Sequence, residues 1–201
     1  LLQARLYGME LIFVDRGRYR DKEAIIREDD RPGIYWILEG GYGGLGAKGS
    51  AEIITVADTL KYTHILCAAG TGTMMAGLIK SAAPHQQVNG ISVLKNHIAL
   101  VKEVSALLDD VEKQKPFSLL HDYHFGGYAK HPAALIEFMR ALWLTEKVPT
   151  DIVYTSKLLF AAKDLVGKDH FTAGSKILRI HSGGLQGNGS LLPGVLPCLL
   201  Q

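Results

Sequence analysis

Cysteine is almost absent from this chain. Two residues, Cys67 and Cys198, exclude a four-cysteine metal site and give no basis for a disulfide framework. Charge of one sign is lacking too: 22 Lys+Arg stand against 20 Asp+Glu, a formal net charge of +2. Nucleic-acid and anionic-membrane binders show a clustered basic excess, so neither partner is expected. No apolar run approaches the ~18 residues that a membrane-spanning helix needs. With 47% hydrophobic and 21% charged residues, general disorder is excluded as well. Several catalytic signatures are missing: no Gly-Lys-Ser/Thr P-loop, no dinucleotide fingerprint, no Gly-x-Ser-x-Gly elbow. Eight histidines offer no credible three-ligand metal set. There is no initiator Met, no secretory signal pattern, no internal repeat and no low-complexity segment. What remains is a soluble, globular chain with a cytoplasmic address as the expectation.

Glycine is what the chain has in excess. Its 22 glycines in 201 residues exceed the average usage of about 7% and they cluster at 40–46, 70–72, 126–127 and 183–187. Such clusters let backbone turn tightly and approach a ligand closely. Between them run apolar segments. Leu1–Tyr7 reads as the end of a helix stopped by Gly8. Met9–Val14, Ile34–Leu38, His64–Ala68, Val88–Leu94 and Lys176–His181 read as strands. A solvated, mostly helical stretch follows Asp15, and helices are expected at Ala47–Leu60, Met74–Ala82, Ile98–Val111, Pro132–Glu146 and Ser156–Val166. Buried, non-alternating strands alternating with helices predict an α/β fold with a parallel sheet covered on both faces.

The sharpest local pattern is strand His64–Ala68, then Ala69-Gly70-Thr71-Gly72-Thr73-Met74, then a helix. Unpaired N–H groups at a helix start, behind a glycine turn with threonine hydroxyls, make a phosphate cradle. The same residues also suit a tight turn that holds nothing. A second pattern delivers His181 and Ser182 to a sheet edge ahead of Gly183-Gly184-Leu185-Gln186-Gly187, as either a ligand edge or a plain glycine turn. In Asp151-Ile152-Val153-Tyr154-Thr155-Ser156-Lys157, Thr155 or Ser156 could be an N-cap and Tyr154 a packing residue. Cys67, inside Ile65-Leu66-Cys67-Ala68, reads as a small buried hydrophobe.

Five stretches taken in order carry a resemblance: Leu38-Glu39-Gly40-Gly41; Ala69 to Leu78; Asp122-Tyr123-His124-Phe125-Gly126-Gly127-Tyr128-Ala129-Lys130; Val153 to Lys157; and His181 to Gly187. Together they resemble the 1-aminocyclopropane-1-carboxylate deaminase / D-cysteine desulfhydrase family, pyridoxal-phosphate enzymes of the tryptophan-synthase β-like fold (fold type II). The resemblance implies three layers, a parallel sheet between helices. It implies pyridoxal 5'-phosphate as cofactor, with Gly70, Thr71, Gly72, Thr73 and Met74 around its phosphate. Ser182, where many relatives have Thr, would face the pyridine nitrogen, and Thr155 is counted with the cofactor-binding residues. Tyr128 and Tyr154 would flank the substrate, with Tyr154 a candidate acid–base group. Thr155 stands where true aminocyclopropane-carboxylate deaminases resemble one another in having Glu, which tilts the expectation toward a D-cysteine desulfhydrase-like lyase.

The family's Schiff-base lysine and its substrate-carboxylate motif lie in an N-terminal portion of roughly a hundred residues that has no counterpart here. Lys157 matches a non-catalytic lysine and is not expected to replace it. The expectation is therefore residues 1–33 as the remainder of a smaller domain with a linker and 34–201 as the large cofactor-binding domain. The activity expected of the full-length protein is a lyase or deaminase acting on a small amino acid, releasing ammonia and a 2-oxo acid, as a homodimer. This polypeptide alone would be inactive. A non-catalytic remnant that binds pyridoxal phosphate or another phosphate-bearing ligand is the alternative, and a sugar-phosphate or nucleotide-binding α/β enzyme a weaker third.

Overall fold

The structure, a computed structural model, describes residues 2–28 and 31–197. The chain divides into two compact units, residues 1–37 and 38–201. The expected remainder of the smaller domain, 1–33, falls inside the first of them.

The first unit is helical. Helix α1 (Leu2–Leu6) ends where the Gly8 N–H donates to the Arg5 carbonyl. Helix α2 (Arg16–Tyr19) is capped by Asp15, whose carboxylate accepts from the N–H groups of Gly17 and Arg18 at 2.8 and 3.0 Å. Those bonds hold the Asp15 carboxyl below the usual carboxylate range. Helix α3 (Lys22–Glu28) follows. The strands expected at Met9–Val14 and Ile34–Leu38 do not form. Residues 9–14 and 34–38 have no ladder partner among the described residues, and a strand exists only where a neighbour pairs with its backbone. Ile12, Phe13 and Ile37 are accordingly exposed by 70% or more of their surface.

The second unit is the α/β body. In chain order it holds α4 (Gly44–Ala51), β1 (His64–Ala69), α5 (Thr73–Ser81), β2 (Gln87–Ser92) and α6 (Leu100–Ala106). Then come β3 (Phe117–Leu120), α7 (Ala133–Glu146), α8 (Thr155–Gly167) and β4 (Ile177–Arg179). All strand pairs are parallel, in the order β3-β2-β1-β4, with Ile65 opposite Val88 and Leu178. Helices α5, α7 and α8 form where expected to within a residue, whereas two expected stretches are shorter. Ala47–Leu60 is helical only to Ala51 and then tightens into a 3-10 turn over Glu52–Thr55, and Ile98–Val111 contracts to α6. Strand β3, which no sequence signal marked, is a half-buried edge strand.

Both sheet faces are covered, which makes three layers. Ile65, Cys67 and Ala69 pack on one face against Ala47 of α4, Met75 and Ile79 of α5 and Leu100 and Val104 of α6. Leu66 and Ala68 point the other way, onto Leu158, Ala161 and Leu165 of α8. This two-sided burial is why β1 is an unbroken apolar run. Each fully buried Leu or Ile contributes about 1.5–3 kcal/mol of transfer free energy. Helices α4 and α5 touch through Gly77, where an added Cβ would lie 2.5 Å from the Ala47 carbonyl oxygen and from Ser50 Cβ. Burial pushes the Cys67 thiol up to about 12, so it stays an unreactive core residue. Cys198 lies outside the described residues. Among the described residues, no helix is long and apolar enough to cross a membrane, and no cluster of His, Cys, Asp and Glu could hold a metal ion.

Candidate functional site

At the carboxyl end of β1 the chain turns through Gly70-Thr71-Gly72 into α5, as the sequence pattern predicts. Gly72 has φ +84° and leads the helix, whose first turn has no side-chain cap. Its free N–H groups and the positive end of the helix dipole are therefore presented outward. The hydroxyls of Thr71 and Thr73 bond each other at 3.0 Å beside this turn.

These residues floor a cavity of about 350 Å³, within the usual range for small-molecule sites. Gly70, Thr71, Gly72, Thr73, Met74, Tyr128, Tyr154 and Ser182 all line it. Four distant segments thus bring eight of the nine singled-out residues to one place. Glu39 and Gly40 also line it, and Gly40 must be glycine there because a Cβ would meet the Thr71 side chain at 2.5 Å. Their sequence signals are the glycine cluster at 40–46 and the Leu38-Glu39-Gly40-Gly41 stretch of the resemblance, neither of which assigned them a role. Thr155 is not brought to the cavity. It is fully buried, and its hydroxyl donates to Asp151 Oδ2 at 2.5 Å while accepting the Asp151 N–H at 2.8 Å. His181 also points elsewhere: its Nε2 pairs with the Pro149 carbonyl at 2.7 Å, beside a separate groove of about 710 Å³ bounded by Phe138, Leu159 and Arg179. That groove has no glycine loop or helix start converging on it, so it lacks the polar focus of the smaller cavity.

Tyr128 and Tyr154 meet edge to face, ring centroids 6.3 Å apart and planes at 78°. Tyr154 is set by the turn before α8. Asp151 Oδ1 accepts the N–H groups of Val153 and Tyr154, both at 2.7 Å, and Oδ2 accepts that of Thr155 at 2.9 Å. Asn188 closes the turn from the other side, accepting the Ile152 N–H and donating to the Thr150 carbonyl. Burial, then the neighbouring Tyr128 hydroxyl and the Asp151 and Glu39 carboxylates, push the Tyr154 phenol up to about 12. It holds its proton at neutral pH and so has a hydroxyl hydrogen to donate there. Tyr123, bonded to Asp164 at 2.7 Å, is likewise raised to about 12, chiefly by burial.

Two raised phenols give a signed expectation. Below pH ~10 folded and unfolded chains both keep these protons. Between about 10 and 12 the unfolded chain releases them while the fold retains them, so stability falls across that window and the contribution is gone above it. Thermal unfolding followed from pH 9 to 12 should show this fall, and a Y123F/Y154F variant should flatten it. An equal fall in the variant would refute the assignment.

The donor set suits a flat phosphate-bearing ligand: the start of α5 with the Thr71 and Thr73 hydroxyls, two aromatic rings and a third hydroxyl, Ser182, all line one cavity. Among the described residues, no lysine lines the cavity.

Comparison with known proteins places the chain in context. No protein-family model matches it. It is 30% identical over 179 residues to a putative 1-aminocyclopropane-1-carboxylate deaminase of Pyrococcus horikoshii, a match covering 82% of this chain and 53% of that protein. It is 28% identical to a 1-aminocyclopropane-1-carboxylate deaminase of Bradyrhizobium, over 92% and 62% of the two chains. A bifunctional D-cysteine desulfhydrase/1-aminocyclopropane-1-carboxylate deaminase of Arabidopsis thaliana, a mitochondrial protein, is 27% identical over 93% and 52%. In three dimensions the chain matches the crystal structure of an ACC deaminase homologue with a TM-score of 0.76 at 26% identity, over 93% of this chain and 62% of that one. The chain spans about half to two thirds of the length of these relatives.

Proposed function

Because the chain is a relative of the 1-aminocyclopropane-1-carboxylate deaminases and D-cysteine desulfhydrases, we propose that it forms the phosphate-holding part of a pyridoxal 5'-phosphate-dependent lyase. The proposed substrate is a small amino acid, and ammonia and a 2-oxo acid are the proposed products. The observation that carries this reading is the convergence of Gly70–Met74, Tyr128, Tyr154 and Ser182 on one cavity at the start of α5.

In this reading the N–H groups of the α5 first turn and the hydroxyls of Thr71 and Thr73 hold the phosphate. Ser182 offers a neutral hydroxyl to the pyridine nitrogen and so leaves that nitrogen largely unprotonated. When bound, pyridoxal 5'-phosphate supplies an electron sink for charge that develops beside the substrate amine. The Tyr128 and Tyr154 rings wall the substrate side, and Tyr154 keeps a proton to donate there. The Schiff-base amine is not among the side chains lining the cavity. For this chain by itself the proposal is therefore binding of the cofactor without turnover, and an association as homodimers remains part of the proposed full-length enzyme.

The test uses pyridoxine 5'-phosphate, which has no aldehyde and so cannot label surface lysines. Equilibrium dialysis should show saturable binding that inorganic phosphate competes. In T71V/T73V the affinity should drop roughly tenfold or more, since hydrogen bonds to a charged group contribute about 1.5–3 kcal/mol each. Absence of binding at millimolar ligand, or binding indifferent to T71V/T73V, would count against the cradle.

A further inference from the structure

Lys157 is the one fully buried charged side chain besides Asp151 among the described residues, and nothing in the cavity uses it. It lies in the first turn of α8, three residues after Tyr154. Its Nζ donates to the carbonyl oxygens of His124 at 2.9 Å and Gly127 at 2.7 Å. A buried ammonium costs several kcal/mol unless paired. Here burial lowers its pKa to about 8, with the Asp151 carboxylate opposing that shift.

The segment it grips is conformationally expensive. Phe125 and Ala129 both adopt positive φ, +54° each, around Gly126 and Gly127. That region is strained for residues with a side chain, so the loop keeps this shape only if something outside it fixes it. Its anchors on α8 are the Tyr123 hydroxyl, which donates to Asp164 at 2.7 Å, Phe125, edge-on to Phe160 with centroids 4.9 Å apart, and the Lys157 ammonium, which alone holds the two carbonyls that flank the glycine turn. Tyr128 comes immediately after the gripped Gly127 carbonyl and is more than half exposed, with the Tyr154 ring as its aromatic neighbour.

We propose that Lys157 is a positioning residue, whose ammonium pins the His124 and Gly127 carbonyls to the start of α8 and so sets the Tyr128 ring against Tyr154 at the cavity. One helical turn then fixes both tyrosines, Tyr154 through the backbone and Tyr128 through this clamp. The purpose of the clamp rests on the cofactor-site reading, but its existence is testable without any cofactor.

Each gripped carbonyl also accepts an N–H from within the loop, Gly127 to His124 and Lys130 to Gly127. Lys157→Met, of similar length and uncharged, therefore frees the loop without leaving a carbonyl unpaired. In K157M, amide exchange across residues 121–131 should accelerate tenfold or more while β1 and β2 stay protected. The Tyr154 phenol, followed by tyrosine-ring NMR through an alkaline titration, should move from about 12 toward the ordinary 10. In K157R, which keeps donors at this position, both readouts should return toward the parent values. Unchanged loop exchange and an unchanged Tyr154 titration in K157M would overturn the proposal. If K157M does not fold, the parent chain decides: reductive methylation of Lys157 and amide exchange of the loop should proceed at one shared opening rate. A loop that opens faster than Lys157 becomes reactive would overturn it equally.

Discussion

Replacing Gly72 by valine should weaken binding of a phosphate ligand a hundredfold or more and cost about 2–5 kcal/mol of stability. Gly72 has φ +84°, a region in which a β-branched residue loses about 1–2 kcal/mol. The space is closed as well: a Cβ there would stand 2.6 Å from Val104 Cγ2 and 3.2 Å from Leu100 Cδ1, and both are core residues of α6. Forcing extra methyls into such a contact adds roughly 1–3 kcal/mol. The chain can relieve the strain only by shifting the turn, and that turn aims the first N–H groups of α5. Urea midpoints and pyridoxine 5'-phosphate dialysis would therefore change together, with affinity down a hundredfold or more. Gly174→Ala is the control. It has a similar φ of +85° with nothing within 4 Å of its Cβ position, so it should cost only about 1 kcal/mol and leave binding alone. A G72V chain that binds like the parent would remove this turn from the site.

The turn was readable because every contributing signal is local: a buried strand, two glycines, two threonines and a helix, all within residues 64–81. The two-sided cover of the sheet was readable for a related reason, since β1 is buried on both faces and shows it as an unbroken apolar run, whereas the equally buried β2 reads Gln-Val-Asn-Gly-Ile-Ser. The segments at 9–14 and 34–38 carry equally apolar runs and form no strand. An apolar run says that a surface wants covering, whereas a strand also needs a partner backbone, and a partner is a long-range fact. The reverse holds for β3, where four half-buried residues at a sheet edge show too little alternation to be noticed. Thr155 exposes the limit of reading a site by resemblance. Its plain sequence reading, an N-cap of α8, does not hold, because Tyr154 takes the cap position and the Thr155 hydroxyl pairs back with Asp151, while its place among cofactor-binding residues came from family position alone. Glu39 and Gly40 reach the cavity from thirty residues away in sequence, and only the fold brings them there.

Asp151→Ala should be the most destabilising single change at this site, on the order of 4 kcal/mol, because it strips partners from several buried groups at once. Its carboxylate is fully buried and accepts from three consecutive N–H groups, Val153, Tyr154 and Thr155, and from the Thr155 hydroxyl. Each buried donor left unpaired costs about 1–3 kcal/mol, reduced where water can enter. These N–H groups lie at the start of α8, so the lost negative charge also forfeits its interaction with the helix dipole. Asp151→Asn keeps one acceptor oxygen and turns an NH2 group toward the donors on the other side, so it should lose roughly half as much. The carboxylate is also the counter-charge to the buried Lys157. D151A therefore leaves that ammonium uncompensated, and D151A/K157M should be less destabilised than the sum of the two single variants. Urea unfolding of the four chains closes this cycle. A D151A loss below about 1 kcal/mol, or strict additivity with K157M, would show that the turn and the loop are held separately. A coupling of about 1 kcal/mol or more, by contrast, would mean that Tyr154 and Tyr128 are placed by one electrostatic unit, Asp151 ordering the backbone of the first and Lys157 the loop of the second.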